Sequence, residues 1–139
     1  MARVKGKDTK PEWRVRRALH QAGLRYHLHD RSLPGVPDLV FPSKRIVVFV
    51  HGCFWHRHKD PTCKLARLPK SRLDFWEPKL ANNALRDRRH LATLAERGWT
   101  PLVVWECQTR DQARIDALIA QIKDASASPH RRKRETGRL

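Results

Sequence analysis

The sequence lacks the features that mark several common classes of protein. Its longest apolar run, residues 46–50, has the length of a strand and is too short to cross a membrane. Residues 1–5 lack the apolar core of a secretory signal peptide. The 3 cysteines are an odd number, which argues against a disulfide framework. We therefore expect a cytoplasmic, nucleoid-associated protein whose thiols are either core residues or metal ligands.

Acidic residues are scarce relative to basic ones. The chain has 14 Asp and Glu against 30 Lys and Arg, a formal net charge of +16. A charge of this size attracts polyanions and supplies sequence-independent affinity for phosphates, so it predicts a nucleic-acid partner. An anionic membrane surface is the alternative, but no basic amphipathic helix or lipidation motif supports it.

The chain has the length of a single domain. Helices are predicted after the capping residue Thr9 as far as Gly23, over residues 73–97 and over 111–123, and strands over 25–30, 38–41, 45–50 and 100–106. This order predicts an α/β sandwich on a mixed sheet. Residues 1–8 are expected to form a basic arm, 9–123 the domain and 124–139 a disordered basic tail. Trp13, Trp99 and Trp105 lie in periodic segments and are expected in the core.

A metal site is predicted in the irregular segment 51–69, which is rich in His, Cys, Pro and Lys. Cys53, His58 and Cys63 follow one another closely there, and Cys107 comes at the end of a later strand. Three thiolates and one imidazole form a common structural zinc site. The alternative is buried cysteines and a surface histidine, but two of the thiols lie in a polar segment that suits a core thiol poorly.

Two further groups of residues suggest catalysis. Asp38 opens one predicted strand and His51 ends the next, so a carboxylate could meet groups from the neighbouring strand around Mg²⁺. His51 and His56 flank the first cysteine, and a neutral histidine is a natural general base. The simpler alternatives are an Asp that stabilises a turn and histidines that bind zinc or face solvent.

Aromatic pairs lie among basic residues, including Lys70 and Arg72. The pairs are Phe54-Trp55 and Phe75-Trp76. Aromatic side chains among cations suit stacking on bases or wedging between base pairs. Core packing is the alternative, because it is the commoner environment of Phe and Trp.

Several motifs together resemble the family of very-short-patch-repair (Vsr) DNA mismatch endonucleases. The most specific is FVHGCFWHRH at residues 49–58. In the same order as in the family, the chain also has LPGVPD at 33–38, PKSR at 69–72, FW at 75–76, NNALRDRR at 82–89 and VWEC at 104–107. The resemblance spans roughly residues 9–120. It departs from the family pattern at Val50, where a threonine is expected, and in the longer spacing from His58 to Cys63.

The resemblance implies a restriction-endonuclease-like three-layer sandwich with a mixed central sheet and a structural zinc. It implies an Mg²⁺-dependent endonuclease that nicks one strand at the T:G mismatch left by deamination of 5-methylcytosine. The implied partners are mismatched double-stranded DNA and mismatch-repair proteins, and the implied oligomeric state is a monomer. The alternatives are a nuclease of looser specificity in restriction or defence, and a non-catalytic zinc DNA-binding module.

By motif position, the resemblance also implies a role for each site residue. Asp38 and the backbone carbonyl of Phe49 would bind Mg²⁺, and Glu12 would contact water on that ion, although a capping-box role competes for its carboxylate. His56 would be the general base, and His51 would orient or stabilise the phosphate. Zinc would take Cys53, His58, Cys63 and Cys107. The DNA-contacting residues would be Phe54, Trp55, Trp76, Lys70 and Arg72.

Overall fold

A computed structural model describes residues 9–125 of the chain. The helices are α1 (Lys10–Gln21), α2 (Leu73–Glu96) and α3 (Gln112–Asp124), and the strands are β1 (His27–Leu28), β2 (Leu39–Phe41), β3 (Ile46–His51) and β4 (Thr100–Trp105). Short 3-10 helices cover Pro42–Lys44, Lys64–Ala66 and Glu106–Arg110. The predicted arm at 1–8, and the predicted tail from residue 126 onward, lie outside the described residues.

The four strands form one mixed sheet in the order β1-β2-β3-β4. The first two pairings are antiparallel, with Leu39 opposite Val48 in the second, and β3 and β4 run parallel with His51 opposite Trp105. The parallel pair needs a long crossover, and α2 provides it. The predicted α/β fold with a mixed sheet is confirmed.

Helices cover both faces of the sheet, because side chains alternate along the strands. On one face, Val48 and its neighbours pack against α1 and α3. The buried members of this core are Val15, Leu19, Leu39, Phe41, Ile46, Val48, Val104, Ile115, Leu118 and Ile122. On the other face, Val40, Val47 and Phe49 pack against Leu94 of α2. The result is a three-layer sandwich with the sheet in the middle.

Helix α1 begins as the sequence predicts. The Thr9 hydroxyl accepts a hydrogen bond from the backbone N–H of Glu12 at 3.3 Å, which satisfies one of the free donors of the first turn. One prediction for this region is wrong. Trp13 is not a core residue but is 50% exposed, because it lies on the side of α1 away from Val15 and Leu19. Its ring instead stacks on the guanidinium of Arg16.

The predicted strand over 25–30 is much shorter than expected. Only His27 and Leu28 pair with β2, and both are exposed at the sheet edge. His29 adopts a positive φ of 47°, which turns the chain out of the ladder, and its N–H donates to the carbonyl of Asp38. This turn moves the His29 side chain away from the edge and toward α1.

Helix α2 runs for 24 residues in spite of Pro78. It begins after Arg72 and buries Leu80 and Leu94, so the predicted helix over 73–97 is confirmed. Trp99 and Trp105, which were predicted in the core, are both half-buried, and Trp99 packs against the core on the α2 face of the sheet. None of the helices within residues 9–125 is both long and apolar enough to cross a bilayer.

Candidate active site and metal centre

The four predicted zinc ligands lie together at one corner of the molecule, which we call the zinc corner. Its members are Cys53, His58, Cys63 and Cys107, and one ligand atom from each lies within 4.8 Å of all the others. Cys53 is fully buried, and the other three are half-buried. The sequence prediction that all three thiols and one imidazole converge is therefore matched by the geometry.

The sheet register explains why distant cysteines meet here. His51 pairs with Trp105 at the ends of two parallel strands, and each cysteine follows its strand end by two residues. The N–H of Cys107 donates to Sγ of Cys53 at 3.4 Å, and Sγ of Cys107 lies 3.6 Å from Nδ1 of His58. The segment after β3 then folds back, because the His58 N–H donates to the carbonyl of Cys53 at 2.9 Å.

The chemistry of this corner fits zinc. Burial raises the pKa of the Cys53 thiol far above its usual range and also raises that of Cys107, so neither is a thiolate without a cation beside it. A Cys₃His set at this spacing is the donor set of closed, tetrahedral zinc sites, in which the ion holds the thiols deprotonated.

A cavity of about 340 Å³ opens beside the zinc corner, at the same end of β3. Two clusters of chemically active side chains lie at this cavity, and all of their members except Glu12 line it. One is the carboxylate cluster of Glu12, His29 and Asp38, and the other is the histidine cluster of His51, His56 and Asp87. The cavity is lined by His29, Arg31, Gly35, Val36, Asp38, Phe49, Val50, His51, His56, Asp87, His90 and Leu91.

Asp38 lies at the start of β2, where the sequence places it. Its Oδ2 accepts a hydrogen bond from the N–H of Val50 at 2.7 Å, which ties the carboxylate to the end of β3. Burial, together with the charge of Glu12, raises the pKa of Asp38 to about 6. A half-buried carboxylate beside a buried one is a fit for a divalent cation, because a cation relieves both the desolvation and the repulsion.

Glu12 of α1 belongs to the carboxylate cluster but, unlike His29 and Asp38, does not line the cavity. Its side chain is 2% exposed, and Oε2 contacts both the guanidinium of Arg16 and Nε2 of His29, the latter at 2.7 Å. The sequence pointed to Glu12 but missed its two partners. Arg16 follows Glu12 by four residues on a helix, a spacing that brings side chains together and could have revealed it.

The histidine cluster joins β3, the loop after it and α2. The rings of His51 and His56 stack with centroids 3.9 Å apart and planes within 3°. Nδ1 of His56 lies 2.6 Å from Oδ2 of Asp87. Asp87 falls within the 82–89 motif, yet the sequence assigned it no role.

His51 is held in its neutral form. It is 6% exposed, and burial, with a smaller contribution from His56, lowers its pKa to about 4. Its Nδ1 has no hydrogen-bond partner among residues 9–125, which leaves a buried polar atom at the cavity wall. Phe49 lines the same cavity, and its ring lies 5.6 Å from that of His51.

Trp105 connects the zinc corner to the cavity. Its indole stacks on the zinc-corner residue His58 at 4.3 Å and meets the edge of His51 at 5.2 Å. The position of His51 therefore depends on the packing of the zinc corner as well as on β3.

The aromatic pairs predicted to meet DNA form one cluster at the rim of the loop. Phe54 and Trp55 each lie within 6 Å of Trp76, at 5.3 and 5.7 Å between ring centroids, in edge-on contacts. The side-chain amide of Asn83 donates to the carbonyl of Trp55 at 3.1 Å and so fixes this loop to α2. Lys70 and Arg72 are exposed nearby in the chain.

Comparison with known proteins places this geometry in context. The family profile for DNA mismatch endonuclease Vsr matches residues 1–63. The chain is 50% identical to the type II nicking enzyme V.XorIIP of Xanthomonas oryzae over 126 residues, covering 91% of this chain and 90% of that protein. It is 40% identical to the DNA mismatch endonuclease Vsr of Escherichia coli, covering 89% of this chain and 79% of that protein.

A solved structure has a similar fold. The homing endonuclease I-Bth0305I catalytic domain matches with a TM-score of 0.51 and 20% identity, over 84% of this chain and 92% of that one. At this identity the likeness concerns the fold alone, and it agrees with the restriction-endonuclease-like sandwich expected from the sequence.

Proposed function

Because the chain belongs to the Vsr family of DNA mismatch endonucleases and is a DNA endonuclease, we propose that it nicks one strand of duplex DNA at a T:G mismatch. The reaction depends on Mg²⁺ at Asp38 and on zinc at Cys53, His58, Cys63 and Cys107. Its biological setting is very short patch repair of deaminated 5-methylcytosine. The protein acts as a monomer, with mismatch-repair proteins as further partners.

One observation carries the proposal: His29 and Asp38 of the carboxylate cluster line one cavity at the end of β3 together with the stacked histidine cluster. A DNA-binding module needs neither. Metal-dependent phosphodiester hydrolysis can use both, because the phosphate must be neutralised while water loses a proton.

Asp38 and the carbonyl of Phe49 are the residues that would hold Mg²⁺. When bound there, the ion polarises a phosphoryl oxygen and offsets the charge that develops on it. The hydrogen bond from the Val50 N–H fixes one carboxylate oxygen of Asp38 and leaves the other for the ion. Carboxylate and carbonyl oxygens are the ligands that Mg²⁺ prefers.

His56 is the proposed general base. Oδ2 of Asp87 is 2.6 Å from Nδ1 of His56 and accepts a hydrogen bond from Nδ1–H, so Nε2 has the lone pair that takes a proton from water. The resulting imidazolium is stabilised by the Asp87 carboxylate. His51, stacked flat against His56 and neutral, orients the phosphate through a ring nitrogen.

Phe54, Trp55 and Trp76 are the proposed wedge. Inserting rings into a duplex costs a few kcal/mol of stacking, and that cost is smallest at a mispair. Lys70 and Arg72 are proposed to bind phosphates beside the wedge, which adds affinity without sequence preference. Selectivity for a mismatch therefore comes from the aromatic cluster rather than from the basic surface.

The proposal is tested with three end-labelled duplexes, identical except for one T:G, T:A or C:G pair, incubated with Mg²⁺ and zinc-loaded protein. We expect a single nick, on one strand of the T:G duplex only. Asp38→Ala should abolish it. Asp116→Ala removes an exposed carboxylate of α3 and is the matched control, with activity retained.

Two outcomes would change the conclusion. Cutting of all three duplexes at similar rates would indicate a nuclease of looser specificity instead of a mismatch-specific enzyme. Equal nicking by wild type and Asp38→Ala would remove Asp38 from the reaction and overturn the assignment of the cavity as the active site.

A further inference from the structure

Several residues that line the cavity have no role in the proposed reaction. Arg31, Gly35 and Val36 come from the loop that joins β1 to β2, and His90 comes from α2. We call these four residues the loop wall. The same cavity is lined by Asp38, the proposed Mg²⁺ ligand, and by the histidine cluster. A group bound against the loop wall would therefore share the cavity with the phosphate that reacts.

The loop that carries Arg31 is held by a turn at Asp30. Oδ1 of Asp30 accepts hydrogen bonds from the N–H of Ser32 at 2.9 Å and from its hydroxyl at 2.6 Å. The N–H of Leu33 donates to the carbonyl of Asp30 at 3.3 Å. These bonds join residues on either side of Arg31, as Asp side chains commonly do in turns. They fix the backbone of Arg31, so only its side chain has to adjust to a ligand.

The guanidinium of Arg31 is available to a ligand. Arg31 is exposed, and it makes no hydrogen bond or ion pair within residues 9–125. The neighbouring carboxylate, Asp30, already accepts from Ser32. In the described part of the chain, Arg31 is also the one cavity-lining residue with a permanent positive charge. Its planar fork of N–H donors fits two oxygens of a phosphate, so an anion can bind it without breaking an ion pair.

Gly35 brings the loop close to α2. Its φ is +76°, and a Cβ there would lie 3.0 Å from Cβ of His90 and 3.1 Å from Cε1 of Phe49, closer than ordinary packing allows. The missing side chain thus lets the loop lie directly against His90. The His90 imidazole makes no hydrogen bond with any residue that the structure describes. It therefore has an N–H to offer to a ligand in the cavity that Arg31 also lines.

We propose that Arg31 and His90 form a phosphate-binding site, which holds the phosphodiester next to the reacting one on the cut strand. Asp38 and His51 serve the reacting phosphate, which leaves the loop wall for its neighbour. Binding the neighbouring phosphate fixes how the strand enters the cavity, so Arg31 and His90 orient the substrate without taking part in bond breaking. The proposal deepens the proposed function, because it rests on the cavity being the site of cleavage.

The test removes the charge of one DNA phosphate at a time. In a series of T:G duplexes, a neutral methylphosphonate replaces each phosphate around the mispair in turn, on both strands. Binding to the zinc-loaded full chain is measured without Mg²⁺. For wild type, replacing the phosphate that Arg31 holds should weaken binding at least about tenfold, because a charge-assisted hydrogen bond is lost. Arg31→Met should lose at most about twofold at that phosphate and should keep the wild-type losses at the others.

Further variants separate a specific contact from a general effect of charge. Arg31→Lys keeps the charge but not the planar fork, so it should retain part of the loss at that phosphate. His90→Gln should reduce the same loss, but less strongly than Arg31→Met does. Arg110→Met is the matched control, because it removes an exposed arginine that does not line the cavity. Its loss at the phosphate held by Arg31 should equal that of wild type.

Three results would overturn the proposal. The first is a wild-type protein that shows no loss at any single phosphate. The second is an Arg31→Met protein whose losses equal those of wild type throughout, or fall evenly at every phosphate. The third is a phosphate coupled to Arg31 that lies on the uncut strand. Because binding is measured without Mg²⁺, the series reports on Arg31 whether or not the protein nicks T:G duplexes, so the two proposals can fail separately.

Discussion

The zinc corner and the cavity lie side by side at the end of the same two strands, yet they differ in how completely their polar groups are satisfied. In the zinc corner, four ligand atoms converge within 4.8 Å, which is a complete set for one tetrahedral ion. In the cavity, His51 keeps a buried nitrogen without a partner in the described part of the chain, and Asp38 keeps a carboxylate with a raised pKa. The first arrangement is typical of a structural metal site, whereas the second leaves polar groups available to a substrate.

The contrast shows how a small protein supports a site that contains costly buried polar groups. A buried polar atom without a partner costs free energy, and so does a buried carboxylate. Trp105 and the segment that joins His51 to Cys53 transmit the rigidity of the zinc corner to these costly groups. Damage to the zinc corner should therefore affect both sites, whereas damage to the cavity should leave the fold intact.

The largest effect is expected from breaking the zinc corner. Cys53→Ser removes its most buried ligand, and structural zinc contributes on the order of 10 kcal/mol to folding in small metal domains. We expect less than one zinc per chain by atomic absorption, a large fall in Tm and complete loss of nicking. His27→Ala, which removes an exposed histidine outside the cluster, is the control. A Cys53→Ser protein with full zinc and unchanged Tm would show that the corner is not a zinc site.

The next effect is confined to the cavity. His56→Ala should lower the rate of nicking by about 10²- to 10⁴-fold, the usual contribution of a general base, while Tm changes little. Asp87→Asn should act in the same direction but less strongly, because it keeps His56 and removes only the partner 2.6 Å from its Nδ1. Single-turnover rates and melting curves of both variants separate the two regions. A loss of Tm as large as that of Cys53→Ser would contradict the comparison.

The third prediction concerns Asp38→Asn, a cavity variant that should lose nicking activity but gain stability. The pKa of Asp38 is raised from 3.8 to about 6 on folding, so stability is fully present below the lower value and is lost as the pH rises through about 6. At pH 7.5, without Mg²⁺, this penalty is up to about 3 kcal/mol. Asp38→Asn keeps an oxygen for the Val50 N–H and carries no charge. It should raise Tm by several degrees at pH 7.5 while abolishing nicking.

The pH dependence provides the control for this variant. At pH 4, Asp38 is mostly protonated in the folded protein, so the advantage of Asn should shrink toward zero. His51 works in the opposite direction: its pKa falls to about 4 on folding, so stability is lost as the pH drops from its unperturbed pKa through that value. Wild type and Asp38→Asn both contain His51, so its effect cancels when their Tm values are subtracted at each pH from 4 to 7.5. A difference in Tm that is constant across this range would exclude the carboxylate as its cause.

A smaller effect is expected at the aromatic cluster, which borders both regions. Trp55→Ala should reduce the preference for mismatched over paired DNA by about 1–3 kcal/mol, the usual range for stacking on a base. Trp99→Phe, which lies near Leu94 at the opposite end of α2 from Trp76, is the matched control. Competition binding between T:G and T:A duplexes measures the ratio directly. A uniform loss of affinity for both duplexes would assign Trp55 to backbone contact rather than to the mispair.

The sequence predicted the zinc corner better than the cavity, because most residues of the zinc corner lie close together in the sequence. Three of the zinc ligands lie within eleven residues of sequence. The fourth, Cys107, follows the apolar strand β4, just as Cys53 follows the apolar strand β3. Asp38 and His51 were also predicted, because they start and end neighbouring strands. His29, Arg16 and Asp87 were missed.

Two of the missed residues, Asp87 and His29, depend on features that local sequence patterns do not carry. Asp87 reaches His56 across 31 residues of sequence, and that contact depends on how α2 docks on the sheet rather than on any local pattern. His29 points toward Glu12 only because a positive φ turns the chain at the end of β1, which periodicity does not predict. Trp13 was assigned to the core because it lies in a periodic segment. Its stacking on Arg16 is evident only from the structure.

The smallest expected effect lies outside both regions, in the basic sequence at the C-terminal end. Residues 131–134 are four consecutive basic residues, and each phosphate they neutralise contributes about 0.9 to the slope of log affinity against log salt. Deleting residues 128–139 should therefore lower that slope by up to about 4, with the single-turnover rate at saturating protein unchanged. Binding titrations at several salt concentrations give the slope. If instead the slope stayed constant while the nicking rate fell, residues 128–139 would contribute to catalysis. The zinc corner and the cavity would then not account for the whole activity.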